Sequence, residues 1–207
     1  VDIIVCGARP QFRFGHELQL LQGGADFFPA LVAAIDASEN EVRLETYIFN
    51  FDVSGERVAA ALVRAAQRGV AVYLVMDGIG TPRIPLDWEE RFANAHVQWH
   101  RFSPLGLLGL LVPGRWRRMH RKLCVVDAHV GFCGGINILD DLFDPVQGAL
   151  DAPRFDFSVR VQGPLVADAQ LTMAQFWGRL QLARQIENLQ FERARHLWRQ
   201  PIQFPPM

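Results

Sequence analysis

Between Arg117 and Asp141 the chain reads "RRMHRKLCVVDAHVGFCGGINILDD", which sets His120, Lys122, Asp127, Gly134, Gly135 and Asn137 at fixed offsets. If each specified type is used at about 5%, six such positions coincide by chance on the order of 10⁻⁸ per starting site. An imidazole two residues from an ammonium on a strand points to the same face, so His120 and Lys122 can both touch one small anion. Asp127 falls on the opposite parity and is expected to brace the scaffold. Gly134 and Gly135 would let backbone approach a ligand closely, and Asn137 could donate its amide to an oxygen.

Lys122 is the sole lysine among the 21 Lys and Arg residues of the chain. A compact ammonium can donate to a phosphoryl oxygen beside a nucleophile. A guanidinium would fill that space and impose a planar fork.

These residues need elements to hold them. "ADFFPALVAAIDAS", Ala25 to Ser38, has apolar positions at helical spacing, with Pro29 tolerable only in a first turn. Glu41 to Phe49 reads as a strand. The next helix has Ser54 as its expected N-cap and Gly69 as its stop. Val70 to Met76 is a continuous apolar run, the mark of a strand buried on both faces, and the strand–helix–strand order implies a right-handed parallel crossover. "LDWEERFANA" is expected to be helical and "VQWHRF" a strand, followed by a hairpin of "KLCVVD" and "VGFCGG" turning at Ala128 and His129. "RFDFSVRVQG" alternates as a strand, and a helix starts at Pro164. The prediction is an α/β domain, a mixed β-sheet sandwiched between helices. Its expected bounds are 1–16 for an N-terminal segment, 17–181 for the domain and 182–207 for a helical extension or linker.

The 207 residues are half apolar and carry a formal charge of −1, which allows a sizeable core and gives no global cationic field for nucleic acid. Cys6, Cys124 and Cys133 lack metal-knuckle spacing and read as free thiols. No secretory signal is recognisable at the start, and no run nears the roughly 18 apolar residues of a membrane span. Arg115, Arg117 and Arg118, with Trp116 among them, follow the apolar "LGLLGLLVPG" and would suit an anionic membrane surface.

The H-x-K, D and GGxN pattern resembles the HKD motif of the phospholipase D superfamily. "LETYIF", "AAQRGVAVYLVMDGIGT", "GGIN" and "DFSVRVQGPLV" further resemble the N-terminal half of bacterial cardiolipin synthases of the B type. The resemblance, over roughly residues 17–179, implies a phospholipase D-like domain, one of two repeats. It implies a phosphatidyltransferase acting through a phosphohistidine, with His120 either the nucleophile or the proton donor to the leaving group, and phosphatidylglycerol as the expected substrate. Lys122 and Asn137 would bind the phosphoryl oxygens, Asp156 would fix the imidazole tautomer, and Glu45 would support the site. Neither metal nor cofactor is expected, since the lysine supplies the cation. The family's site takes two such motifs, and this chain shows one. The second half is therefore expected in a missing C-terminal domain or in a homodimer partner. A peripheral location on the cytoplasmic face of the inner membrane is implied. Two other readings stand beside this one: a homodimeric phosphodiesterase or nuclease, and an isolated half that binds membrane without turnover.

Overall fold

The computed structural model describes residues 14–102, 118–144 and 147–199, with side chains as far as Ile186. A seven-stranded mixed sheet organises the chain. Its strands are β1 (Glu17–Gln22), β2 (Glu41–Thr46), β3 (Ala71–Asp77), β4 (Gln98–Phe102), β5 (Leu123–Val126), β6 (Val130–Gly134) and, after a small ribbon of β7 (Phe143–Asp144) and β8 (Gly148–Ala149), β9 (Phe157–Gln162). Their spatial order is β1-β9-β6-β5-β2-β3-β4. β2, β3 and β4 run parallel, and every pairing from β2 through β5, β6 and β9 to β1 is antiparallel.

One face is covered by α1 (Gly23–Asp36), α2 (Val53–Gln67) and α3 (Leu86–Asn94), and the other by α4 (Pro164–Arg199). Strand alternation divides the work. Val42, Leu44, Val72, Leu74, Met76, Cys124 and Phe132 join Leu31, Ile35, Leu62 and Phe92 in the large core under α1–α3. On the opposite face Val125 and Val161 pack with Val166 and Met173 of α4, and Val75 packs with Trp177. Burying each large apolar side chain contributes about 1.5–3 kcal/mol, so the sheet is stabilised from both sides.

The expected sandwich is present, with local differences. The carboxylate that caps α2 belongs to Asp52, which accepts the Gly55 amide at 2.9 Å, and not to Ser54. Ser54 instead donates to Asp140 at 2.7 Å. Gly69 does end this helix, at φ +93°. α1 begins two residues earlier than its periodicity indicates, which places Pro29 beyond the first turn. The early start has an outside partner: the Asp141 carboxylate accepts the Gly24 amide at the helix entrance, and the Gly23 amide donates to the Asp156 carbonyl at 2.9 Å. From Pro164 the chain forms one 36-residue helix that runs to Arg199.

The entrance to α2 is also close-packed. A Cβ at Gly55 would lie 1.7 Å from the Asn50 carbonyl oxygen. Because that neighbour is backbone and cannot rotate aside, Gly55→Ala is expected to lower unfolding free energy by about 2–3 kcal/mol. A denaturant titration checks this, and an unchanged midpoint would contradict the packing.

Candidate active site

At the carboxyl end of β2 the chain continues through Tyr47 and Ile48, and this stretch is fixed from several sides. The Ile48 amide donates to Asn137 Oδ1 at 3.1 Å, the Phe49 amide to Thr81 Oγ1 at 2.8 Å, and the Thr46 hydroxyl to the Ile48 carbonyl at 2.8 Å. Phe49 also bridges to Ile138 in parallel. Asn137 therefore spends its carbonyl oxygen on the scaffold, and the NH₂ end is the part of its side chain suited to donating to an anion.

Against this stretch lies the segment carrying His120 and Lys122. β5 begins only at Leu123, so these two residues sit in the extended lead-in to the strand and not on the strand itself. They nevertheless meet at one ring. The His120 imidazole stacks on Tyr47 with centroids 4.5 Å apart and planes 17° apart, and Lys122 Nζ lies 5.7 Å from the same centroid. His120 is solvent-exposed and Lys122 half-buried.

The residues beside His120 are held by two buried carboxylates. Asp77, at the end of β3 and 0% exposed, accepts the Met119 amide at 2.8 Å and pairs with Arg118 at 3.5 Å. It also closes the following turn, accepting the Ile79 amide at 2.8 Å and the Gly80 amide at 3.4 Å. Glu45, 2% exposed on β2, pairs with Arg121 at 3.0 Å. Burial pushes the Glu45 carboxyl above its ordinary range, and the Arg121 guanidinium only partly offsets this. That guanidinium in turn lies over Phe176 of α4. Arg118 is thus drawn toward the sheet, while Arg115, Trp116 and Arg117 lie outside the described residues.

Asp127 stands at the far end of β5, in the hairpin turn at φ +50°, followed by Ala128 at +54°. Its carboxylate accepts the amides of Glu39, Asn40 and Glu41 at 2.9, 2.8 and 2.8 Å, tying the hairpin to the start of β2. Burial alone would raise its pKa, but those three amides outweigh burial and hold it below the usual aspartate value.

The glycine pair serves the sheet. A Cβ at Gly134 would meet the Phe157 carbonyl at 2.4 Å, and one at Gly135 would meet Asp156 Oδ1 at 2.0 Å. The close approach they permit is to β9 and its lead-in; sequence alone pointed to a ligand. Asp156 Oδ1 accepts its neighbour Phe157's amide at 2.7 Å, and no hydrogen bond joins Asp156 to His120 among the described residues. Sequence reasoning gave Tyr47 no role, set Asp77 between a functional place at a strand's carboxyl end and a turn or cap, and grouped Arg121 with the arginines that would meet a membrane surface. The signals available were the parity of Tyr47 with Glu45 and the position of Asp77 at a parallel strand's carboxyl end.

A mixed sheet between helices that delivers a histidine and a lysine to one ring is a phospholipase D-type domain. Nuc from Salmonella typhimurium, a phospholipase D family member of known structure, superposes with a TM-score of 0.57 over 79% of this chain and 95% of its own, at 21% identity. The chain belongs to the family described as cardiolipin synthase, PLD-like domain, which matches residues 31–145. Cardiolipin synthase B of Salmonella typhi is 37% identical over 158 residues, 76% of this chain and 37% of that protein. Cardiolipin synthase B of Escherichia coli (strain K12) is 32% identical over 187 residues, 90% of this chain and 42% of that protein. The chain thus spans about two-fifths of the length of these relatives.

The depressed Asp127 pKa sets a pH dependence. A group whose folded pKa is lowered stabilises fully above its ordinary value, here 3.8, and loses that contribution as pH falls through the folded value. Asp127→Asn should therefore cost about 1–2 kcal/mol at neutral pH, with the gap from wild type closing below about pH 4. Denaturant unfolding over a pH series reads this, and a gap independent of pH would contradict it.

Proposed function

We propose that the chain supplies one imidazole–lysine half of a phosphatidyltransferase of the cardiolipin synthase type. The observation that carries this reading is the meeting of His120 and Lys122 at the Tyr47 ring, within a domain of the cardiolipin synthase family. The substrate is a phosphatidylglycerol-like phospholipid. His120 attacks the phosphorus, and a P–N bond forms as the P–O bond to glycerol breaks. The departing alkoxide takes its proton from a second imidazole, brought by a second motif in a further domain or another copy of the chain. The hydroxyl of a second lipid gives its proton to that second imidazole and attacks the phosphorus, so that a new P–O bond forms as the P–N bond breaks and both imidazoles are restored. Lys122 and the Asn137 amide bind the equatorial oxygens as charge builds, where one well-placed donor is worth about 2.7–4 kcal/mol.

The protein would meet its lipid from the membrane surface. No helix among the described residues is long and apolar enough to cross a bilayer, and the arginines and tryptophan at 115–117 are the proposed contacts with anionic headgroups at the cytoplasmic face of the inner membrane. A homodimeric phosphodiesterase is the competing reading, and it has one observation in its favour: the match covers 95% of Nuc, a chain no longer than one such domain.

Incubation of the assembled protein with phosphatidylglycerol vesicles should release cardiolipin and glycerol in equal amounts, with a phosphorylated histidine trapped on rapid quenching and neither seen in His120→Ala. Cleavage of single-stranded DNA without lipid turnover would favour the competitor.

Lys122→Arg retains charge but changes shape, so it should unfold at the wild-type midpoint while kcat falls by about 10²–10³-fold. Wild-type turnover in that variant would remove the role assigned to the ammonium.

A further inference from the structure

Tyr47 touches both reactive groups and is mounted more rigidly than either. Its carbonyl lies so close to the loop after β3 that a Cβ at Gly80 would come within 2.1 Å of it. The next two residues are pinned through the Ile48 amide on Asn137 and the Phe49 amide on Thr81. Tyr47 is itself half-buried, whereas His120 is exposed and belongs to an irregular lead-in. A solvent-exposed imidazole has two free side-chain torsions, and attack on phosphorus succeeds only from a narrow range of both. The neighbours of His120 fix its backbone, through Met119 to Asp77 and through Arg121 to Glu45, but they do not orient its ring. The face of Tyr47 does: the near-parallel stack at 4.5 Å restricts the imidazole plane. Lys122 Nζ at 5.7 Å falls within the roughly 6 Å over which a ring attracts a cation, so the ammonium is drawn to the same ring.

We infer that Tyr47 is a positioning residue, whose ring sets the His120 imidazole and the Lys122 ammonium in register for one phosphoryl group. The inference rests on the phosphoryl-transfer reading above for its catalytic consequence and on the stack alone for its structural one. The contacts are made by the ring, so the hydroxyl is dispensable and Phe can replace Tyr. Glu45, two residues back and inside β2, holds Arg121. β2 and the bend that follows it thus orient the reacting segment twice, once by charge and once by an aromatic surface.

The test compares Tyr47→Phe and Tyr47→Leu in the full chain, each checked for fold by denaturant midpoint. Should Tyr47→Leu fail that check, the unbranched Tyr47→Met takes its place. In the lipid assay Tyr47→Leu is expected to lower kcat on the order of 10²-fold with KM nearly unchanged, and Tyr47→Phe to restore wild-type kcat. Independently of turnover, the His120 ring protons should show an upfield ring-current shift by NMR in the wild type and Tyr47→Phe that disappears in Tyr47→Leu. Equal losses of kcat in both variants, or a wild-type kcat in Tyr47→Leu, would overturn the inference. So would His120 resonances that ignore the substitution. If the assembled wild type turns over no lipid, the proposed reaction fails while the NMR comparison still decides whether the ring holds the imidazole.

Discussion

The segment bearing His120 is not part of the sheet, and what keeps it in place is the buried carboxylate of Asp77. Asp77 takes a backbone amide and a guanidinium from residues 118 and 119 and turns the chain after β3 with its remaining capacity. A charge with no exposure is tolerable only when its hydrogen-bonding sites are met, so the carboxylate requires the segment as much as the segment requires the carboxylate. The same contact seats Met119 in the core under α4, where it packs with Val75 and Trp177.

Glu45 repeats the arrangement on the neighbouring strand with a different balance. Its pair with Arg121 lies under α4, with Phe176 against the guanidinium; burial leaves the carboxyl less easily ionised, and the arginine offsets that only in part. Two strands thus reach across to the residues immediately before and after His120. The imidazole is left exposed between them, which suits a group that must meet an incoming phosphoester and, in the proposed reaction, a second imidazole.

Much of the architecture was legible because alternation and helical period are local. The apolar run of β3, the stop at Gly69 and the hairpin near Ala128 could be placed from a few consecutive residues. The parts that were not legible depend on distant partners. Nothing near Gly24 announces that Asp141 extends α1 backward, and nothing near Asp52 or Ser54 says which of them finds the helix amides and which finds Asp140. The motif itself could be found by spacing. The purpose of its glycines could not, because the atoms that crowd Gly134 and Gly135 come from β9 and its lead-in, some twenty residues on. His120 and Lys122 were assigned to one strand face by parity, yet they converge on Tyr47 from outside the strand, a contact that only the packed chain creates.

The order of strands has a cost in time. Among the described residues β1 pairs with β9 alone, and β9 runs from Phe157 to Gln162, far along the chain. At about 5–20 residues per second, a ribosome needs on the order of ten seconds to supply that partner. Through that interval Leu18 and Leu20, each 65% exposed even in the finished fold, belong to an unpaired edge. Until β9 emerges, this edge is open to aggregation and to chaperone capture, and the sheet can close on β1 only then.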